Sequence, residues 1–136
     1  TAIDVSMAPN AVTVNQSAGT IAGAIKLSQF ADVLNIFGGA VAGDVVGQGS
    51  ANTVNFAPGA GHTFTYANAI TGVNAVNVNT GTLLLQGTID PATLTTVNSG
   101  AALAGTGTVG ALTVMSGATF APGSGAPSPR RVARFA

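Results

Sequence analysis

The sequence predicts an all-β solenoid, a parallel β-helix whose coils take about 17–22 residues each, and three observations carry that expectation. First, a phrase is repeated. Val97-Asn98-Ser99-Gly100-Ala101-Ala102-Leu103-Ala104 returns at position 114 as Val114-Met115-Ser116-Gly117-Ala118-Thr119-Phe120-Ala121. Self-similarity at a fixed step marks an architecture in which each unit buries its apolar side only by stacking on the next. Second, the chain is written in Gly, Thr, Asn, Ser and Val with apolar residues at alternate positions, a composition poor in helix and suited to short strands and turns. Third, the step is too short for helical repeats of the tetratricopeptide or ankyrin kind, which need over ~30 residues and a 3.6 period.

The elements follow in order. Val12-Thr13-Val14 opens the pattern, and Asn15 leads through a turn to Gly19-Thr20-Ile21-Ala22-Gly23-Ala24-Ile25-Lys26-Leu27. There Ile21, Ile25 and Leu27 fall on one face of a single strand, with Gly23 in register between them. One repeat further on, Ile21-Ala22-Gly23-Ala24-Ile25 becomes Val41-Ala42-Gly43-Asp44-Val45, and Asp32-Val33-Leu34-Asn35-Ile36 becomes Asn52-Thr53-Val54-Asn55-Phe56. The repeat after that gives Asn74-Ala75-Val76-Asn77-Val78. The stacked ladder is then Val14, Ile36, Phe56, Val78, Val97 and Val114, with steps of 22, 20, 22, 19 and 17. Unequal steps place loops of different length at the corners, where Gly39, Gly81, Gly100 and Gly117 serve positive φ or close backbone approach. Residues 57–69 form a larger corner loop holding a short strand, Thr63 to Tyr66, and Asp90-Pro91 marks a further turn. Residues 1–10 are a lead-in, 11–124 the repeats, and 125–136 a disordered basic tail that has lost the alternation.

Composition narrows the function. Of 136 residues only 6% are charged and 46% are hydrophobic; Trp is absent and there are six Phe and one Tyr, so the core is built from small and β-branched side chains. Mean hydropathy is +0.48, yet no apolar run approaches the ~18–20 residues of a transmembrane helix. Net charge is zero: Asp4, Asp32, Asp44 and Asp90 balance Lys26, Arg130, Arg131 and Arg134. No basic face is left for a nucleic-acid backbone. Without cysteine there is no disulfide framework and no thiolate metal site, which suits export through an oxidising space. The chain begins Thr-Ala-Ile-Asp, without the basic and apolar regions of a signal peptide.

The stretch VNSGAALAGTGTVGALTVMSGATFAPG resembles the repeat found in passenger domains of bacterial autotransporters. GTIAGAIKL, ADVLNIFGGAVAGDVVGQG, NTVNF and VNVNTGTLLLQGT are similar to the coils that precede it in large members, so the likeness covers about residues 11–124. The resemblance implies a right-handed parallel β-helix carried on the Gram-negative cell surface or released from the outer membrane. It implies type V secretion through a C-terminal translocator barrel in the full-length protein, and a host matrix or glycan as ligand. After Pro122-Gly123 the sequence departs from the family, which begins another coil there, and a fragment or a truncated or frameshifted frame is expected.

Each candidate for chemistry is weighed against a structural role. Gly105-Thr106-Gly107-Thr108-Val109-Gly110 spells GxGxxG, but Leu112-Thr113-Val114 follows as a strand where a dinucleotide site needs a helix, so corner glycines are expected. A calcium β-roll is the sharper rival: Asp32-Val33-Leu34 and Gly47-Gln48-Gly49-Ser50-Ala51-Asn52-Thr53-Val54 faintly follow its nonapeptide pattern. The period is wrong, however, and Asn52 and Asn74 stand where carboxylates are needed. Asp32, Asn52 and Asn74 are read as a polar ladder that satisfies corner backbone groups. Polysaccharide cleavage on a β-helix would want two facing carboxylates, and Asp44 aligns with Ala24, away from the Asp32 column. His62 is a lone loop residue, short of a metal site or a nucleophile's base. Phe56, Phe64 and Tyr66 are candidates either for a sugar groove or for coil-capping packing, and Phe30 and Phe37 share that ambiguity; Arg130, Arg131 and Arg134 are read as a solvated tail. No catalytic, cofactor or metal residue is expected, and the function read is a stalk, display scaffold or adhesin.

Overall fold

The structure, a computed structural model, describes residues 1–48, 51–90 and 92–122. Every regular element among them is a strand, and every strand pairing is parallel. The lead-in residues contribute β1 (Ile3–Asp4). The chain then winds through three faces in turn: β2 (Thr13–Gln16), β3 (Thr20–Ala22) and β4 (Ile25–Lys26), then β5 (Val33–Ile36), β6 (Ala40–Ala42) and β7 (Val45–Val46). The next coils are β8 (Thr53–Phe56), β9 (Thr63–Tyr66) and β10 (Ala69–Thr71), then β11 (Ala75–Val78), β12 (Thr82–Leu85) and β13 (Thr88–Ile89). β14 (Leu94–Val97) and β15 (Ala102–Gly105) follow, and β16 (Ala111–Val114) and β17 (Thr119–Pro122) close the described chain. This is the stacked parallel β-solenoid expected from the repeat, with about six turns.

Each face is a sheet running along the axis. The first holds β16-β14-β11-β8-β5-β2, the second β1-β4-β7-β10-β13, extended by a bridge from Thr88 to Thr108. The third is made of two sheets, β3-β6 and β17-β15-β12-β9, with β6 packed beside β9. Paired strands fall three apart in the chain order because a coil returns to its own face only after visiting the other two, and two apart in the last coil, where the second face is reached only by the Thr88–Thr108 bridge.

Period-two alternation decides what fills the interior. On the first face Leu34, Val54, Val76, Thr95 and Leu112 share one inner column, and Ile36, Phe56, Val78 and Val97 the next. Ile25, Val45, Ile70 and Ile89 line the second face, and Phe64, Leu83 and Leu103 the third. Phe56 sits against Phe64, ring centroids 5.6 Å apart, and against Tyr66 at 6.2 Å, which thickens the middle of a core made mainly of aliphatic side chains.

Three local expectations are corrected. The first rung of the ladder is Gln16, which lies opposite Ile36, while Val14 lies opposite Leu34; the first step is therefore as long as the second, from Ile36 to Phe56. Ile21, Ile25 and Leu27 do not share a strand: Gly23, at φ 128°, turns a corner between β3 and β4, and Ile21 faces the interior from a different sheet. Asn74 is exposed and does not continue the buried Asp32 and Asn52 column. The corner glycines Gly39, Gly81, Gly100 and Gly117 do take φ values of 76°, 66°, 86° and 87°. Thr63–Tyr66 is a strand, and Asp90 Oδ1 accepts from Ala92 N–H at the expected turn. The tail at 125–136, with Arg130, Arg131 and Arg134, lies outside the described residues, as do Gly49, Ser50 and Pro91.

Candidate functional site

The most ordered polar array is on the outer side of the first face. Asn15, Asn35, Asn55 and Asn77 are in register on β2, β5, β8 and β11. Asn35 Nδ2 donates to Asn15 Oδ1, Asn55 to Asn35 and Asn77 to Asn55, each at 2.9 Å. Strands ~4.8 Å apart bring identical amides within hydrogen-bonding reach, so an asparagine on each rung makes a continuous ladder. Thr96 and Thr113 carry the column on in the last two rungs. One residue outside the sheet, Asn98 Nδ2 donates to Asn79 Oδ1 at 2.6 Å. Sequence reasoning used these residues only as repeat markers; the signal was the recurring pair of an apolar residue and Asn in Val14-Asn15, Leu34-Asn35, Val54-Asn55 and Val76-Asn77.

A second array is buried at the corner leading into the first face. Asp32 is 0% exposed, and its Oδ1 accepts from Val12 N–H at 2.8 Å and its Oδ2 from Ser28 N–H at 2.5 Å. Asp32 N–H is directed at Asn52 Oδ1, and Asn52 Nδ2 donates to Ser28 O and Gln48 O. The carboxylate thus ties its corner to the preceding coil and the Asn52 amide carries the link on to the next, both through backbone groups that a tight corner leaves unpaired. Both Asp32 oxygens are engaged, and among the described residues no group of three His, Cys, Asp or Glu side chains gathers to hold a metal ion.

Asp44 is exposed at another corner, where its Oδ1 accepts from Ala69 N–H at 3.0 Å. The two aspartates therefore serve separate corners and do not face one another. Beside Asp44, the Tyr66 hydroxyl lies 2.9 Å from Gly43 O and 3.0 Å from Ala69 O, sharing its proton between them. Burial pushes the Tyr66 phenol well above its ordinary range, and the Asp44 charge adds to the rise. Asp4, opposite Lys26 in register, is held below the usual carboxylate range by hydrogen bonds from the Ser6 hydroxyl and N–H, with the Lys26 charge a lesser cause.

The remaining candidates scatter. His62 is exposed in the corner between β8 and β9. Phe56, Phe64 and Tyr66 are buried in the core and form no groove, whereas Phe30 and Phe37 are 37% and 46% exposed on separate corners. Gly105 to Gly110 run from the end of β15 into β16 with no helix to follow, and Gly105 passes so close to Leu85 O that a side chain there would collide with backbone. Comparison with known proteins finds no matching family model, curated protein or solved structure.

Proposed function

We propose that this chain is a non-catalytic structural segment of a cell-surface or secreted passenger of the autotransporter type, acting as a stalk, display scaffold or adhesin. The observation that carries the reading is where the polar side chains go. Asn15, Asn35, Asn55 and Asn77 bond one another, and Asp32, Asn52 and Asp44 bond corner backbone. Side chains spent on holding coil to coil stiffen a rod, and among the described residues they leave no convergent acid, base or nucleophile for a reaction. Six rungs at ~4.8 Å make a body on the order of 24 Å long whose outer faces are free to present loops such as 57–62. The double VxSGAxxA phrase supplies the link to exported passengers.

The test is the DNA on both sides of the segment. A signal peptide upstream and a set of alternating barrel strands downstream support the export reading; a frame that carries neither removes it. Incubation with polysaccharides should release no new reducing ends, and chelation with EDTA should leave the circular dichroism unchanged. Loss of β signal on chelation would replace the steric solenoid with a calcium-dependent one.

A further inference from the structure

From the break in the third face, we infer that the solenoid carries a hinge between the coil β5-β6-β7 and the coil β8-β9-β10, about which the blocks on either side tilt by opening that face. The inference is independent of the export reading, since it rests on pairing inside the body. On the first and second faces these two coils are joined strand to strand, β5 to β8 and β7 to β10. On the third face β6 ends one sheet and β9 begins another. Ala40 N–H donates to Gly19 O and Ala42 O accepts from Gly23 N–H, so alternation turns the N–H and C=O of Val41 toward β9. His62 O and Tyr66 O accept from the N–H groups of Thr82 and Gln86, which turns those of Thr63 and Thr65 back toward β6. Among the described residues no backbone hydrogen bond joins these facing groups.

The break falls where the corner from the first face to the third lengthens from three residues, 37–39, to six, 57–62. Two bonds made by side chains cross the seam in place of the ladder. The Tyr66 hydroxyl reaches Gly43 O at 2.9 Å, and Asp44 Oδ1 accepts from Ala69 N–H at 3.0 Å. The hydroxyl also lies 3.0 Å from Ala69 O in its own coil. When the seam opens it gives up Gly43 O and keeps Ala69 O, so the buried donor is satisfied in both positions and the latch releases at the cost of one shared bond.

The corner opposite the third face, 47–52, is held far more firmly. On its first-face side Thr53 N–H donates to Asp32 O, Asp32 N–H to Asn52 Oδ1 and Asn52 Nδ2 to Ser28 O, and on its second-face side Gly47 N–H donates to Thr71 O at 2.7 Å. A junction joined on two faces and at the corner they share, but unladdered on the third, bends about that corner. The remaining pairs of neighbouring strands on the third face, β3-β6 and β9-β12-β15-β17, are laddered, so the tilt is confined to one junction.

Pulsed electron spin resonance on three labelled Cys pairs tests this. Thr20→Cys with Thr82→Cys spans the seam, Thr63→Cys with Thr119→Cys lies on the same face beyond it, and Thr13→Cys with Ala75→Cys spans the same coils on the first face. Each pair is three rungs apart, about 14 Å between backbone sites at ~4.8 Å per strand. The expected result is a broad or two-population distance across the seam and narrow distributions for the other two pairs. Tyr66→Phe removes the latch and should raise the longer-distance population roughly two- to tenfold. In the unlabelled variant, exchange of the Ala69 amide hydrogen should quicken by a similar factor while the Gly47 and Thr53 amides, on the holding side, keep their protection. Equal widths for the three pairs, or a Tyr66→Phe variant whose exchange is unchanged or rises uniformly, would each overturn the inference.

Discussion

Replacing Thr95 with Val should make the protein more stable, although it deletes a hydroxyl from a strand. Thr95 is 0% exposed on β14, in the inner column between Val76 and Leu112, and its Oγ1 has no hydrogen-bond partner among the described residues. A buried donor left unsatisfied costs about 1–3 kcal/mol of desolvation, and Val keeps the branched shape that a pleated strand favours. Allowing for imperfect packing of the new methyl, the gain is about 1–2 kcal/mol, or roughly 3–10 °C in Tm for a chain of this size. Thr93 is the internal control. It is 1% exposed, but its Oγ1 donates to Val73 O at 2.8 Å, so Thr93→Val should lose about 0.5–1.5 kcal/mol and leave that carbonyl unpaired. Urea unfolding followed by far-UV circular dichroism reads both, with the midpoint moving in opposite directions at constant slope. If Thr95→Val is neutral or destabilising, or if both variants shift the same way, the inward orientation of Thr95 or the accounting of its hydroxyl is wrong.

Other substitutions probe other parts of the stack. Val54→Asp puts an unpaired carboxylate between Leu34 and Val76 at a position with 0% exposure, and its cost of several kcal/mol approaches the ~5–15 kcal/mol that stabilises a whole domain. Loss of β signal is expected, and unchanged melting would mean that Val54 does not face inward. Asn55→Ala breaks the asparagine ladder on both sides, removing one bond to Asn35 and one to Asn77, and should cost about 1–2 kcal/mol in the same unfolding assay; no change would show that the ladder adds nothing to stability. Tyr66 predicts the alkaline limb. Its folded pKa is raised, so its contribution is fully present below the unfolded value of about 10 and is lost as pH climbs beyond it, because the unfolded chain gives up the proton first. Stability should fall above pH ~10 in wild type and lose that phenolate-linked drop in Tyr66→Phe; identical slopes would contradict the burial argument.

The solenoid was legible because a repeat writes its register into the sequence: Ile36, Phe56, Val78, Val97 and Val114 stack as their spacing indicates. The first rung misled because apolarity was the guide, and the terminal coil breaks it. There Gln16 occupies the inner position and turns its amide across the corner to Gly19 and Ala40. Alternation also ran straight through Gly23, since residues on both sides of a corner point inward and the pattern alone does not reveal the bend. Asn74 aligned with Asn52 by spacing, yet six residues separate β7 from β8 and Asn52 Nδ2 there reaches Ser28 O and Gln48 O, whereas only three, 72–74, separate β10 from β11 and Asn74 is left exposed. The asparagine ladder was overlooked for a different reason. A polar residue at an alternate position reads as ordinary solvent exposure, and only the parallel stacking of strands converts that column into bonded amides.

The claim on which everything rests is that equivalent residues of successive coils stack along one axis, and pulsed electron spin resonance measures it directly. The chain has no cysteine, so Cys substitutions at Thr13 paired with Leu94, and at Thr13 paired with Ala111, place spin labels on the outer column of the first face without interference. The stack puts those backbone sites four and five rungs apart, about 19 Å and 24 Å at ~4.8 Å per strand, so the second distance should exceed the first by one strand spacing. Broad distributions, or two distances that do not differ by one rung, would contradict the solenoid.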